Sequence, residues 1–64
     1  MQNVIVKVLR QNSSYLTEIW LSGTNDDFRI TAFRDSTEDE SRHAAENWLE
    51  QNSYRFHVLR WIDA

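Results

Sequence analysis

The chain has 64 residues and no Cys, and seven Lys and Arg against ten Asp and Glu give a formal charge of −3 at pH 7. This length holds one small domain, which buries only ~60% of its unfolded surface, and the lack of Cys excludes disulfides and thiolate metal sites. The acidic balance argues against a general duplex-DNA binder, which needs a basic footprint to displace phosphate counterions.

The opening residues, MQNVIVKVLRQN, alternate apolar with polar and lack the unbroken apolar core and cleavage site of a signal peptide. No apolar run approaches the ~20 residues that cross a bilayer. The expectation is a complete, soluble, cytoplasmic small protein with no membrane partner.

Residues 3–10, NVIVKVLR, are β-branched and alternating, which predicts a first strand. QNSS at 11–14 is a polar turn, and YLTEIWLS at 15–22 is a second strand rich in aromatic and β-branched types. GTNDD, with the only Gly, supplies the next hairpin turn. FRITAFR at 28–34 alternates cleanly as strand three. In DSTEDESRHAAENWLEQNS the period changes. Thr37 followed by Glu40 matches a capping box, and acids crowd a first turn whose dipole favours them. Ala44, Ala45, Trp48 and Leu49 then share one helical stripe. Asn52 and Ser53 end the helix, Asn being tolerant of a left-handed stop. Strand four runs from Tyr54 to Ile62. The predicted fold is α+β, in the order β-β-β-α-β, with one helix on one face of a small antiparallel or mixed sheet.

Charge is unevenly spread. Residues 35–50 hold Asp35, Glu38, Asp39, Glu40, Glu46 and Glu50 against Arg42, a local charge of −5. The remainder sets six cations against Glu18, Asp26, Asp27 and Asp63, a charge of +2.

A single helix covers a single sheet face. Strand parity assigns Val4, Val6, Val8, Ile19, Leu21, Phe28, Ile30, Phe56, Val58 and Ile62 to the covered side, beneath Ala45, Trp48 and Leu49. The opposite parity gives Ile5, Lys7, Leu9, Leu16, Glu18, Trp20, Arg29, Thr31, Phe33, Arg55, His57, Leu59 and Trp61. A solvated antiparallel face would be mostly polar. This one mixes aromatics with cations, the side chains most enriched at binding hot spots, and soluble monomers seldom expose large apolar patches without a use for them. The expected contact residues on this face are therefore Trp20, Arg29, Phe33, Arg55, His57 and Trp61. The competing reading is that small domains expose apolar side chains for want of polar ones. A bulge would also slip the parity and turn Trp20 or Trp61 inward.

Catalytic and metal chemistry find little support. Glu40, His43 and Glu46 share one helical side, but the Glu-x-x-His spacing that serves di-iron bundles occurs there in two copies with further Glu, and here once. His57 lacks a nucleophile–base–orienter set with a nearby Ser. One Gly cannot make a Gly-rich phosphate loop. No enzymatic activity, cofactor or metal is expected. The carboxylates Glu38, Asp39, Glu40, Glu46 and Glu50 are by default a solvated helix face. The sharper reading is an acidic surface that engages Arg and Lys of a target or mimics nucleic acid.

The layout, with its capped acidic helix containing Trp48 and its final strand FHVLR, resembles the small phage-encoded inhibitors of bacterial RNA polymerase. The likeness spans residues 15–62, and its motif is the Phe-x-Val-x-Arg strand formed by Phe56, Val58 and Arg60. That resemblance implies one helix on a short sheet and a protein that binds the polymerase to block transcription, with Arg60 making a key contact. Where the family carries a second arginine two positions on, this chain has Ile62. In size and acidity the chain is also similar to phage anti-defence proteins such as anti-CRISPRs. The leading expectation is a non-enzymatic inhibitor that docks on a host protein or protein complex. A single-stranded nucleic-acid binder ranks second, because cations interleaved with aromatics on an open sheet are what base stacking requires. A small regulatory homodimer is the third reading.

Overall fold

A computed structural model describes residues 1–23 and 28–63. The elements are β1 (Gln2–Gln11), β2 (Ser14–Leu21), β3 (Phe28–Asp35), α1 (Glu38–Gln51) and β4 (Phe56–Asp63). They form one four-stranded sheet in the order β3-β2-β1-β4, with α1 on one face. β1 and β2 pair antiparallel, as do β2 and β3, whereas β4 pairs parallel with β1. The sheet is therefore mixed. A parallel partner cannot be reached through a tight turn, and α1 is the crossover that carries the chain from β3 to β4.

Each boundary has a local cause. Gln11 pairs with Ser14, which leaves Asn12 and Ser13 as a two-residue hairpin loop. Asn12 takes φ +54°, a left-handed conformation that Asn tolerates better than most side chains. Of the GTNDD turn, Gly23 has φ +93°, while Thr24, Asn25, Asp26 and Asp27 lie outside the described residues. Thr37 caps α1, its hydroxyl accepting the Glu40 backbone N–H at 3.2 Å. The C-terminus differs from expectation. Asn52 sits at φ −115° rather than in the left-handed region, and its Nδ2 donates to the Trp48 carbonyl at 2.8 Å. The Asn52 backbone N–H also donates to the Trp48 and Leu49 carbonyls at 3.1 and 3.2 Å, so the side chain adds to a backbone cap. Strand four starts two residues later than its pattern predicts, because Tyr54 and Arg55 lie in the turn after the helix.

The core lies between α1 and the sheet. Val4, Val6, Ile19 and Ala45 are fully buried, joined by Val8, Leu49 and Phe56, and each such aliphatic or aromatic side chain contributes roughly 1.5–3 kcal/mol. Ser41, Ala45 and Leu49, spaced four apart, form the inward stripe of the helix. Trp48 stacks on Phe56 with ring centroids 5.4 Å apart.

Two bulges change which side chains share this core. In β4, Val58 pairs with Val4 but Arg60 pairs with Ile5, so Leu59 is an extra residue. In β3, Thr31 pairs with Ile19 but Arg29 pairs with Trp20, which makes Ile30 extra. An inserted residue reverses the parity of everything beyond it. Trp61, opposite Val6, and Phe33, opposite Thr17, therefore pack against the core on the helix side. Thr31 goes with them. Ile62, expected beneath the helix, pairs with Lys7 on the open side instead. Phe28 has the covered parity but lies at the hairpin end of its strand and stays 63% exposed.

Candidate functional site

The face of the sheet turned away from α1 is built from three rows of cross-strand neighbours. Arg29, Trp20, Ile5 and Arg60 form one row running across all four strands. Ala32, Glu18, Lys7 and Ile62 form the next. Arg34, Leu16 and Leu9 form the third. At the usual strand spacing the first row sets its two arginines ~14 Å apart, with an indole and an isoleucine between them.

Glu18 is the hub. It is only 7% exposed although it sits on the uncovered face, because its neighbours lie over it. Its Oε1 accepts the Trp20 indole N–H at 3.2 Å, and its Oε2 accepts from the Arg29 guanidinium at 2.9 Å. The Lys7 ammonium lies 4.6 Å from the centroid of the Trp20 ring, a cation–π contact worth roughly 0.5–2 kcal/mol according to its desolvation. A buried carboxylate without partners would be costly; here both oxygens are occupied. The indole and the Arg29 head are thereby held in place. Leu16 is buried beside this network, and Ile5, Leu9 and Ile62 are half-buried.

The residues expected to meet a partner divide into three groups. Trp20, Arg29, Arg60 and His57 lie on the open face, His57 opposite Asn3 at its end. Phe33 and Trp61 lie on the helix side, where the Arg42 guanidinium stands 5.1 Å from the Trp61 ring and also reaches Asp63 at 3.4 Å. Arg55 belongs to the turn, with its guanidinium 5.1 Å from the Phe56 ring. Sequence parity already put Ile5, Lys7 and Glu18 on the open face, but not as its organising centre. The signal for that role is positional: Lys7 and Glu18 have the same parity in strands joined by a two-residue hairpin, which makes them direct neighbours.

Glu38, Asp39, Glu40, Glu46 and Glu50 are all exposed on α1. They belong to the helix layer, on the other side of the sheet from the open face. A shallow groove of about 450 Å³ runs along Asp35, Asp39, Glu40, His43, Ala44 and Asn47. Among the described residues, no group of three or more His, Cys, Asp or Glu is placed to hold a metal ion, and no helix is long and apolar enough to cross a membrane. Serine and threonine hydroxyls serve the fold: Ser14 Oγ donates to the Gln11 carbonyl at 3.2 Å, Thr37 caps the helix, and Thr17 contacts Ser41. Comparison with protein-family models, with curated proteins and with solved structures finds no match for this chain.

Proposed function

We propose that this protein is a non-catalytic docking module whose open sheet face binds an acidic patch on another protein. The observation that carries the reading is the row Arg29–Trp20–Ile5–Arg60. An apolar centre between two guanidinium groups has the composition of a binding hot spot. Glu18, the only carboxylate in the three rows, is buried and already bonded, so the field the face presents is cationic and favours an anionic partner.

An inhibitor of a host complex, either RNA polymerase or a defence complex, is the particular form of this function that the resemblance of the last strand supports. Arg60, the residue the resemblance singles out, is exposed at one end of the row, and Ile62 follows on the same face. Single-stranded nucleic acid fits less well. Base stacking needs bare aromatic faces; Lys7 already lies over Trp20, and Phe33 and Trp61 lie against the core.

The test is affinity capture from a bacterial lysate with the intact protein, Trp20→Ala and Arg60→Glu. A stoichiometric protein partner retained by the parent and lost by both variants is the expected result. Equal recovery by all three proteins overturns the reading.

A further inference from the structure

The two broad surfaces of the molecule are complementary to each other. The open sheet face presents Lys7, Arg29, Arg34 and Arg60, and among the described residues only Arg29 of these has a carboxylate within ion-pair distance. The outer stripe of α1 presents exposed Asp39, Glu46 and Glu50. Because α1 lies on the opposite side of the sheet, one copy cannot bring these two surfaces together. A second copy can.

We propose that copies of this chain stack head to tail, the acidic stripe of α1 in one copy seated on the open sheet face of the next. The 14 residues of α1 extend about 21 Å at ~1.5 Å per residue, long enough to span the ~14 Å between Arg29 and Arg60 in the sheet row. Complementary charge selects this arrangement over a symmetric one. Two sheet faces set against each other oppose Arg29, Arg34 and Arg60 to themselves, and like charges in contact are penalised. A head-to-tail contact leaves one free surface of each kind at every step, so the assembly grows instead of closing at two copies. The net charge of −3 opposes growth at long range, so the contact depends on short-range pairing. The stack covers the docking face described above without depending on any particular target. Self-association therefore competes with partner binding.

The experiment is sedimentation velocity of the full chain over a concentration series, in ~10 mM and in ~1 M salt, where the screening lengths are ~30 Å and ~3 Å. Average mass should rise past the dimer at low salt and return to the monomer at high salt. Arg34→Glu/Arg60→Glu and Glu46→Lys/Glu50→Lys change exposed side chains only, and circular dichroism checks that both variants fold. Each variant alone should associate at least tenfold more weakly. Mixed together they should associate again, since one supplies an intact helix stripe, the other an intact sheet face, and the two reversed surfaces are themselves opposite in charge. A parent that stays monomeric at low salt overturns the proposal. So does a dimer that survives high salt, which would mean an apolar symmetric contact, or a mixture of variants that fails to pair. Loss of a lysate partner in Trp20→Ala alongside a monomeric parent removes the stack and keeps the docking function. Stacking without any such loss does the reverse.

Discussion

The hydroxyls of Thr17 and Ser41 lie 2.9 Å apart with both residues fully buried, linking the centre of β2 to the inward stripe of α1. Ser41 Oγ also donates to the Glu38 carbonyl at 3.1 Å. Its single proton is used there, so Thr17 must be the donor in the pair. This fixes the rotation of the helix over the sheet at a point where apolar contacts alone would let it slide.

Unequal costs follow for the two partners. Ser41→Ala leaves the Thr17 hydroxyl buried without an acceptor, at about 1–3 kcal/mol. Thr17→Val removes the donor but leaves Ser41 bonded to the helix, and costs less. The double variant should be more stable than Ser41→Ala alone, since removing both partners of a buried hydrogen bond is often nearly neutral. Urea unfolding of the three variants measures this. Simple addition of the two single costs would show that the contact does not couple the residues.

The three tryptophans separate into different roles. Trp61 packs against the core under the Arg42 guanidinium, and Trp48 stacks on Phe56. Trp20 lies on the open face with Glu18 and Lys7. Truncating a large aromatic packed in the core costs about 3–5 kcal/mol; Trp61 is half-buried and should fall nearer 2. That lowers the melting temperature by ~8–16 °C in a domain of this size. Trp20→Ala should cost about half as much in stability and yet abolish partner capture. A Trp20 variant that melts lower than the Trp61 variant would contradict the division of roles.

Element order and element type were legible because periodicity is a local property. The valines at 4, 6 and 8 announce a strand, and Thr37 with Glu40 announces a helix start, before any tertiary contact exists. The side chains at the two ends of the sheet were not legible for the opposite reason. Whether Trp61 meets the helix or the solvent depends on Leu59 being skipped by β1, and whether Phe33 does depends on Ile30 being skipped by β2. Neither FRITAFR nor FHVLR carries a Gly or an irregular pattern to mark the skipped residue. The twist of the sheet and the need to bury Trp61 and Phe33 decide the matter, and both are non-local. Upstream of the bulge in β4 and on β1 and β2, parity held, which is why Trp20, Lys7 and Glu18 fall on the face the sequence assigns them. Arg60 stays on the open side because it follows the extra residue; strict alternation would have put it beneath the helix.

The N-terminus of α1 rests on one exposed contact, from the Glu40 N–H to the Thr37 hydroxyl. Thr37→Ala should cost about 1 kcal/mol, and Thr37→Ser or Thr37→Asp should restore most of it. Thermal melts of the three variants give the ranking. If Thr37→Asp were no better than Thr37→Ala, the cap would contribute nothing. The acids at 38–40 would then stabilise the first turn through the helix dipole alone.

Glu18 gives the sharpest separation of stability from docking. Burying an ion pair is seldom a net gain over an apolar residue of similar size, and Arg29, the cationic partner, keeps half of its side chain in solvent, which weakens the pair further. Glu18→Met removes one partner only and leaves the Trp20 indole N–H without its acceptor, so it should cost about 1–3 kcal/mol, short of unfolding the protein. The same substitution releases both the indole N–H of Trp20 and the guanidinium of Arg29. Ordering each such side chain on binding costs roughly 0.5–1.5 kcal/mol, so affinity for a captured partner should fall about tenfold or more. Glu18→Gln keeps an acceptor for the indole and should lie between the two. Amide and indole proton exchange by NMR provides the matching readout, with the Trp20 N–H exchanging faster in the methionine variant while the Val4, Val6 and Ile19 amides remain protected. Should Glu18→Met unfold the protein instead, the carboxylate would be a pillar of the fold and not the organiser of its binding face.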